Sequence, residues 1–222
     1  MADLMLVVSH RDRVDNLQAF LRLVPMYLQV KGIDYEICVV NQENDNPFNQ
    51  ARLHNIGFAA NPGHDCYCFH DVDLIPEYAD YSPVTVPTHL CRWVEQTGYQ
   101  LYRQDTLGGV VMFPADKFIE INGYSNMYQG WGGEDVDVFQ RCLLAGLEIS
   151  RRDGRFRSLP HKGGHRGAEG NPNWPETQKL RARVMQHVEE RKLKQLPEGL
   201  TTLDYRITRD TPGKIRHLYV TW

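Results

Sequence analysis

Asp71 and Asp73 flank Val72 immediately after the apolar run Cys66–Phe69. Two carboxylates two residues apart at a strand end can hold a hard divalent cation. A cation held there could neutralise a diphosphate. Taken alone, the same tripeptide reads equally as a turn or a helix cap. A second cluster is Gly130-Trp131-Gly132-Gly133-Glu134-Asp135. Its glycines permit backbone angles other residues avoid, which makes a loop that can move and carry Trp131 with it. Glu134 and Asp135 open the following helix, where the macrodipole favours negative charge. Either of them could instead take a proton from an attacking hydroxyl. His161 and His165 lie four apart, but Gly163 and Gly164 between them argue against a helix. A neutral imidazole completing a site begun by Asp73 would suit Mn²⁺ better than Mg²⁺; the other reading is a solvent-exposed pair.

These clusters need a scaffold to bring them together. Leu4 to Val8 reads as a buried strand ending in the polar loop Ser9-His10-Arg11-Asp12-Arg13. Leu17, Phe20, Leu21, Val24 and Leu28 then recur at helical spacing, with Asp15 as N-cap, Gly32 as stop and Pro25 as a kink. Tyr35 to Val40 is a second strand, Phe48 to Ala60 a helix and Cys66 to Phe69 a third strand. That order implies a parallel, right-handed α/β sheet. Ligands bind beyond the carboxyl ends of such strands, where Arg11, Asn41, Asp71 and Asp73 fall. The second half is less regular. The spacing predicts a strand over 107–113, a helix over 115–121, a glycine-rich loop over 122–133 and a helix over 134–145. A strand over 147–150, a loop over 153–175, a charged helix over 175–194 and closing strands over 200–207 and 215–219 follow. No repeat or linker interrupts the chain, so a single domain spanning 1–222 is the expectation.

Composition narrows the function classes. Of 222 residues 41% are hydrophobic and 24% charged, enough for a sizeable core without disulfides. The chain carries 25 basic and 28 acidic side chains, for a net charge of −3. With no basic block, nucleic acid is not an expected partner. No stretch approaches the length that spans a bilayer. The five cysteines form no CxxC pair, and their odd number leaves a thiol unpaired, as suits a reducing, cytosol-like compartment.

Four blocks, in order and spacing, resemble the β-1,4-galactosyltransferase family (glycosyltransferase family 7). They are Phe48-Asn49-Gln50-Ala51-Arg52-Leu53-His54-Asn55-Ile56-Gly57-Phe58, Phe69-His70-Asp71-Val72-Asp73-Leu74-Ile75-Pro76, Gly108-Gly109-Val110 with Ile121-Asn122-Gly123-Tyr124-Ser125-Asn126, and Gly130-Trp131-Gly132-Gly133-Glu134-Asp135-Val136-Asp137. The resemblance covers nearly the whole chain. It implies a GT-A fold, with a central mostly parallel sheet flanked by helices, a nucleotide-binding half over 1–76 and a catalytic, acceptor-binding half over 77–222. It also implies an inverting, Mn²⁺-dependent transfer of galactose from UDP-Gal to a saccharide acceptor, forming a β1,4 linkage. In that pattern Asp135 matches the catalytic base and Asp73 the carboxylate on Mn²⁺. Arg11, Arg13, Phe48, Asp71 and Val72 match nucleotide contacts. Trp131 matches a mobile-loop tryptophan that closes over the donor, with Gly133 and Glu134 on the donor side. His165 matches the metal histidine, with His161 as the alternative.

The chain departs from the pattern at four positions. Gln50 stands where the family has an arginine, which weakens or replaces a nucleotide contact. Val136 replaces an acid that helps hold the acceptor. Lys162 stands where many animal members have a methionine. Thr106 falls where galactose-selective members have a tyrosine, so UDP-GalNAc is an alternative donor. Animal members are Golgi membrane proteins with a stem. The expectation here is a cytoplasmic bacterial or viral form; the alternative is the lumenal Golgi catalytic domain of a longer, trimmed chain. Two other classes remain: a glycan- or UDP-sugar-binding module that has lost catalysis, and a two-carboxylate hydrolase, which has no need of the Asp-x-Asp pair.

Overall fold

The computed structural model describes residues 4–100, 103–160, 171–190 and 195–222. The first half alternates as the sequence implied: β1 (Leu4–His10), α1 (Val14–Val30), β2 (Tyr35–Gln42), α2 (Gln50–Ala60) and β3 (Cys66–His70). β1 pairs in parallel with both β2 and β3. Every residue of β1 and β3 is buried, which is why these strands read as continuous apolar runs. α1 starts at Val14, one residue ahead of Asp15, and the N-cap Arg13 makes no side-chain capping bond. Asp15 is therefore a first-turn acid that complements the macrodipole, not the cap. The helix continues through Pro25, and Gly32 follows its C-cap at φ 68°.

The second half supplies β4 (Leu74–Tyr78), β5 (Thr88–His89), β6 (Trp93–Val94), β7 (Val110–Pro114), α3 (Ala115–Glu120) and α4 (Glu134–Leu144). β8 (Ser150–Arg151), β9 (Arg155–Ser158), α5 (Trp174–Glu190), β10 (Arg206–Thr211) and β11 (Ile215–Thr221) complete it. The main sheet runs β10-β11-β2-β1-β3-β7-β5-β8. Its centre, from β11 to β3, is parallel; β7 and β10 run antiparallel to their neighbours. A small second sheet, β4-β9-β6, follows the Asp-x-Asp segment.

Three sequence expectations are corrected. Part of the expected loop 153–175 is β9, whose four residues Arg-Phe-Arg-Ser are too few and too charged to show a period. The expected strand over 200–207 splits into a 3₁₀ turn, Leu200–Thr202, and β10, which is exposed at all six residues and so lacks the apolar alternation. β8 begins at Ser150, not Leu147. The two-residue strands β5 and β6 carry no period at all.

Alternation along β1 feeds two cores. Leu4, Leu6 and Val8 meet Phe20, Val24 and Leu28 of α1 on one face. Met5 and Val7 meet Leu53 and Ile56 of α2 and Val138 of α4 on the other. All five cysteines are unpaired and buried, and burial pushes Cys38 and Cys66 up to about 11, so these thiols are inert. Among the described residues no helix is long and apolar enough to cross a membrane.

Candidate active site

The carboxyl ends of β1, β2 and β3 form one rim of the site. Past β1 the chain turns at Asp12, left-handed at φ 57°, between two arginines with different partners. Arg11 lies over the Phe48 ring, 5.4 Å from its centroid, and donates to the Asn46 carbonyl at 2.6 Å. Arg13 pairs with Asp73 at 3.1 Å. Phe48 and Gln50 are placed by Asn49, the N-cap of α2. Its Oδ1 accepts the Arg52 N–H at 2.9 Å, its own N–H donates to Gln42 Oε1 at 3.0 Å, and its Nδ2 donates to the Asn126 carbonyl at 2.8 Å.

Asp71 is held at both ends of its peptide. Its N–H donates to the Gly109 carbonyl at 2.8 Å, and its carbonyl accepts from His70 Nδ1 at 2.9 Å. His70 Nε2 accepts in turn from the Tyr81 hydroxyl at 2.8 Å. Burial lowers His70 to about 4, so the ring stays neutral and each nitrogen keeps one role. The Asp71 carboxylate accepts from Gln50 Nε2 at 2.6 Å. Burial first, then the charges of Asp73 and Asp135, hold its pKa well above the usual range. The Val72 side chain is buried in the α1-side core, so any contact it makes with a ligand falls to its main chain.

The opposite rim is the start of α4. Gly133 caps it at φ 104°, and a Cβ there would lie 2.5 Å from Tyr128 Cε1, so conformation and space both demand glycine. Glu134 is buried, and its Oε2 has no hydrogen-bond partner among the described residues. Burial, then Asp71 and Asp137, raise it to about 7. Asp135 is partly buried; burial, then Glu134, push its pKa well up. Its carboxylate rests against Gly108, where a Cβ would lie 2.3 Å from Oδ2. Gly108 is itself fixed, its carbonyl accepting from His89 Nε2 at 2.7 Å while Arg151 approaches His89 Nδ1 at 2.6 Å. Behind these groups α4 is anchored by Asp137, which accepts the Tyr128 hydroxyl at 3.0 Å and pairs with the buried Arg141. Arg141 reaches Glu198 at 2.8 Å.

Trp131 stands at the mouth, 49% exposed, with its ring 6.1 Å from that of Trp174. Asn171 Nδ2 donates to the Trp131 carbonyl at 2.7 Å, and the Gly130 N–H donates to the Phe48 carbonyl at 2.8 Å. The glycine–tryptophan loop is thus tied to the Phe48 platform on one side and to α5 on the other. Tyr124 and Tyr128, near the glycine–tryptophan loop in sequence, are core residues, each 2% exposed, and offer no surface for stacking a sugar. Tyr99 is covered by the Arg155 guanidinium at 3.8 Å.

His161 and His165 lie outside the described residues. Among the described residues no group of three or more His, Cys, Asp or Glu is arranged to hold a metal. The chemistry present still fits a hard divalent cation. Asp71 and Asp73 offer oxygen ligands, and burial first, then neighbouring carboxylates, raise Asp71, Glu134 and Asp135, so a cation would stabilise their charged forms. Sequence reasoning missed the Gln50–Asp71 bond, the His89 support of Gly108, and Asn171 with Trp174. Of these, only Asn171-Pro172-Asn173 carried a local signal: an Asx turn, seen as the Asn173 N–H donating to Asn171 Oδ1 at 2.9 Å.

Known proteins match the chain in sequence and in fold. The family model for the N-terminal region of glycosyl transferase group 7 matches residues 2–82, and the model described as the N-terminal domain of galactosyltransferase matches residues 88–162. Human beta-1,4-galactosyltransferase 1 is 32% identical over 210 residues, covering 91% of this chain and 50% of the human protein. Human beta-1,4-galactosyltransferase 4 is 38% identical over 151 residues, covering 66% of this chain and 44% of its own. The chain therefore spans about half the length of the curated relatives it matches. The catalytic domain of Drosophila β1,4-galactosyltransferase 7, solved with xylobiose, superposes with a TM-score of 0.77 at 25% identity, covering 99% of this chain and 94% of that one. A mutant of the same enzyme, solved with manganese, UDP-Gal and xylobiose, matches equally. GalNAc-T7, solved with UDP, GalNAc and Mn²⁺, shares the fold with a TM-score of 0.61 at 12% identity, covering 86% of this chain and 50% of that one.

Proposed function

The chain belongs to the β-1,4-galactosyltransferase family, glycosyltransferase family 7, and is a glycosyltransferase of GT-A fold; from that premise we propose that it transfers galactose from UDP-Gal to a saccharide acceptor with inversion, forming a β1,4 linkage. The observation that carries the reading is the Asp135 carboxylate, seated against Gly108 across a shared buried site from Asp71 and Asp73. In this reading the acceptor oxygen bonds to the anomeric carbon, the bond from that carbon to the diphosphate breaks, and the acceptor proton passes to Asp135. UDP leaves from the opposite face. A raised pKa suits a base that must accept a proton during attack.

Arg11 and Phe48 form a flat, cationic and aromatic platform suited to a pyrimidine base. Asp73 would hold Mn²⁺, with His165, or His161, from the segment that precedes Asn171. When bound, the cation neutralises charge on the departing diphosphate. Arg13, now paired with Asp73, would turn to the phosphates. Glu134 would face the donor sugar, Val72 would serve through its main chain, and the loop pivoting at Gly133 would close Trp131 over the donor and exclude water. Residues 1–76 then form the nucleotide half and 77–222 the acceptor half. Thr106, whose carbonyl takes Arg151 Nη2 at 3.1 Å, lies one residue before the Leu107 N–H that donates to the Asp135 carbonyl at 3.1 Å. That position favours UDP-GalNAc as the second donor to test. Five unpaired thiols support a reducing, cytoplasmic setting over a Golgi lumen.

The test is UDP release from UDP-Gal, UDP-GalNAc, UDP-GlcNAc and UDP-Glc with xylose, GlcNAc and glucose acceptors, with and without Mn²⁺. Acceptor-stimulated, Mn²⁺-dependent release from UDP-Gal, abolished in Asp135→Asn while donor binding persists, is the expected result. Tight donor binding without release from any pair would replace the enzyme by a UDP-sugar-binding module.

A further inference from the structure

The short stretch from Leu107 to Gly109 touches both rims of the site. The Leu107 N–H donates to the Asp135 carbonyl at 3.1 Å, Gly108 lies against the Asp135 carboxylate, and the Gly109 carbonyl accepts the Asp71 N–H at 2.8 Å. Gln104 to Gly108 belong to no strand or helix, so their placement depends on the side chains behind them. β5 and β8 are two residues each, and their parallel pairing sets His89 beside Arg151. The Arg151 guanidinium donates to His89 Nδ1 at 2.6 Å, to the Thr106 carbonyl at 3.1 Å and to the Gln104 carbonyl. An arginine offers no acceptor, so Nδ1 must accept and the imidazole proton must sit on Nε2. That Nε2–H is the group that donates to the Gly108 carbonyl at 2.7 Å, beside the Val110 N–H at 3.1 Å. Two independent contacts thus demand the same neutral tautomer, and burial, which lowers His89 to about 4, preserves it.

We infer that Arg151 and His89 form a positioning pair for the proposed base: together they hold residues 104–108 against Asp135 and so set where its carboxylate stands relative to Asp71. The inference rests on reading Asp135 as the base. Neither side chain touches the reacting atoms; the pair acts through the main chain of Thr106 and Gly108. Arginine suits the position because its planar fork reaches three diverging neutral acceptors at once, which a lysine ammonium on a flexible stem cannot hold in one geometry. Histidine suits the other because one ring carries an acceptor toward Arg151 and a donor toward Gly108, relaying the order of the guanidinium to the glycine. The two are links of a single chain of hydrogen bonds, so cutting either one releases the same segment.

The experiment is a double-mutant cycle on the whole chain: Arg151→Met, His89→Phe and the two together, with Arg151→Lys and His89→Gln as conservative variants. Each is assayed for UDP release from UDP-Gal and Mn²⁺, with whichever of xylose, GlcNAc or glucose the parent uses, and for Mn²⁺-dependent UDP binding by calorimetry. Retained binding shows that a variant is folded at the assay temperature, so its kcat can be read. Arg151→Met and His89→Phe should each lower kcat about tenfold, and the double variant should fall no further than the worse single one. The loss should lie in kcat, with UDP binding and the donor KM within about twofold. His89→Gln, whose amide also pairs a donor with an acceptor, should stay within about threefold of the parent, and Arg151→Lys should fall between Arg and Met. Three results would overturn the inference: both single variants within about threefold of the parent, losses that multiply in the double variant, or UDP binding lost in step with kcat, which marks general support of the fold. Asp135→Asn separates the two levels. If it transfers as fast as the parent, or if the parent transfers to none of these acceptors, the reading of the site fails and the inference with it. If it is inactive while Arg151→Met and His89→Phe are not impaired, only the role of the pair fails.

Discussion

Gly108→Ala should disable Asp135, the proposed base, without unfolding the protein. The added Cβ would stand 2.3 Å from Asp135 Oδ2 and 2.8 Å from its Cγ. Ordinary contact needs about 3.4 Å, so the carboxylate must retreat by about 1 Å. Gly108 is not among the residues with positive φ, so alanine fits its backbone without strain. The clash is with the far end of one side chain, which can rotate away at little cost to stability. Loss of glycine freedom in the unfolded chain works in the opposite direction, by about 0.4–1 kcal/mol. Catalysis is less forgiving, because a 1 Å misplacement of a reacting group costs about 100-fold, or about 2.7 kcal/mol of barrier. The expected result is a kcat for UDP release lower by about two orders of magnitude. The donor KM and Mn²⁺-dependent UDP binding should hold, and the melting temperature should stay within about 2 °C. The neighbouring Gly109→Ala is the contrast: at φ 79°, with its Cβ 2.8 Å from Cys91 Sγ and 2.9 Å from Leu74 Cδ1, it should lose stability instead. A Gly108→Ala enzyme whose kcat falls by less than about threefold would refute the placement of Asp135 as the base.

The buried histidine His54 has no hydrogen-bond partner for either ring nitrogen among the described residues and packs between Phe69 and Tyr124, so His54→Leu should stabilise the fold by about 1–2 kcal/mol, read as a rise in the urea midpoint. Burial lowers His54 from 6.5 to about 3, so the unfolded chain takes up its proton first; stability should fall as pH drops from 6.5 toward 3, and less steeply in His54→Leu. Glu134 acts in the opposite direction: raised from 4.5 to about 7, it favours the folded state below 4.5 and loses that contribution as pH climbs to 7, so Glu134→Gln should flatten the loss between those values in a pH series of melts. A stability profile for Glu134→Gln that parallels the parent between pH 4.5 and 7 would contradict the burial of that carboxylate.

What the sequence made legible follows from the range over which each feature is encoded. β1, β2 and β3 are buried on both faces, so their apolar runs announce them, and their order implies the parallel centre of the sheet. Asp71 and Asp73 were readable because a strand end is a local event. β9 and β10 were not: β9 is four residues held between β4 and β6, β10 is an exposed edge, and both owe their conformation to their neighbours and not to their own pattern. The site divides in the same way. The types of Asp71, Asp73, Glu134 and Asp135 are visible along the chain, but what sets their chemistry is long-range. Gln50 is 21 positions from Asp71, and the His89 that fixes Gly108 is 19 positions away from it. Burial by both halves of the chain is what lifts Asp71, Glu134 and Asp135 together. No spacing rule contains that burial. On the proposed reading, the carboxylates can handle a metal and a proton only because β3 and α4 bring like charges into one poorly solvated space, where binding a cation or a proton relieves both the burial and the repulsion.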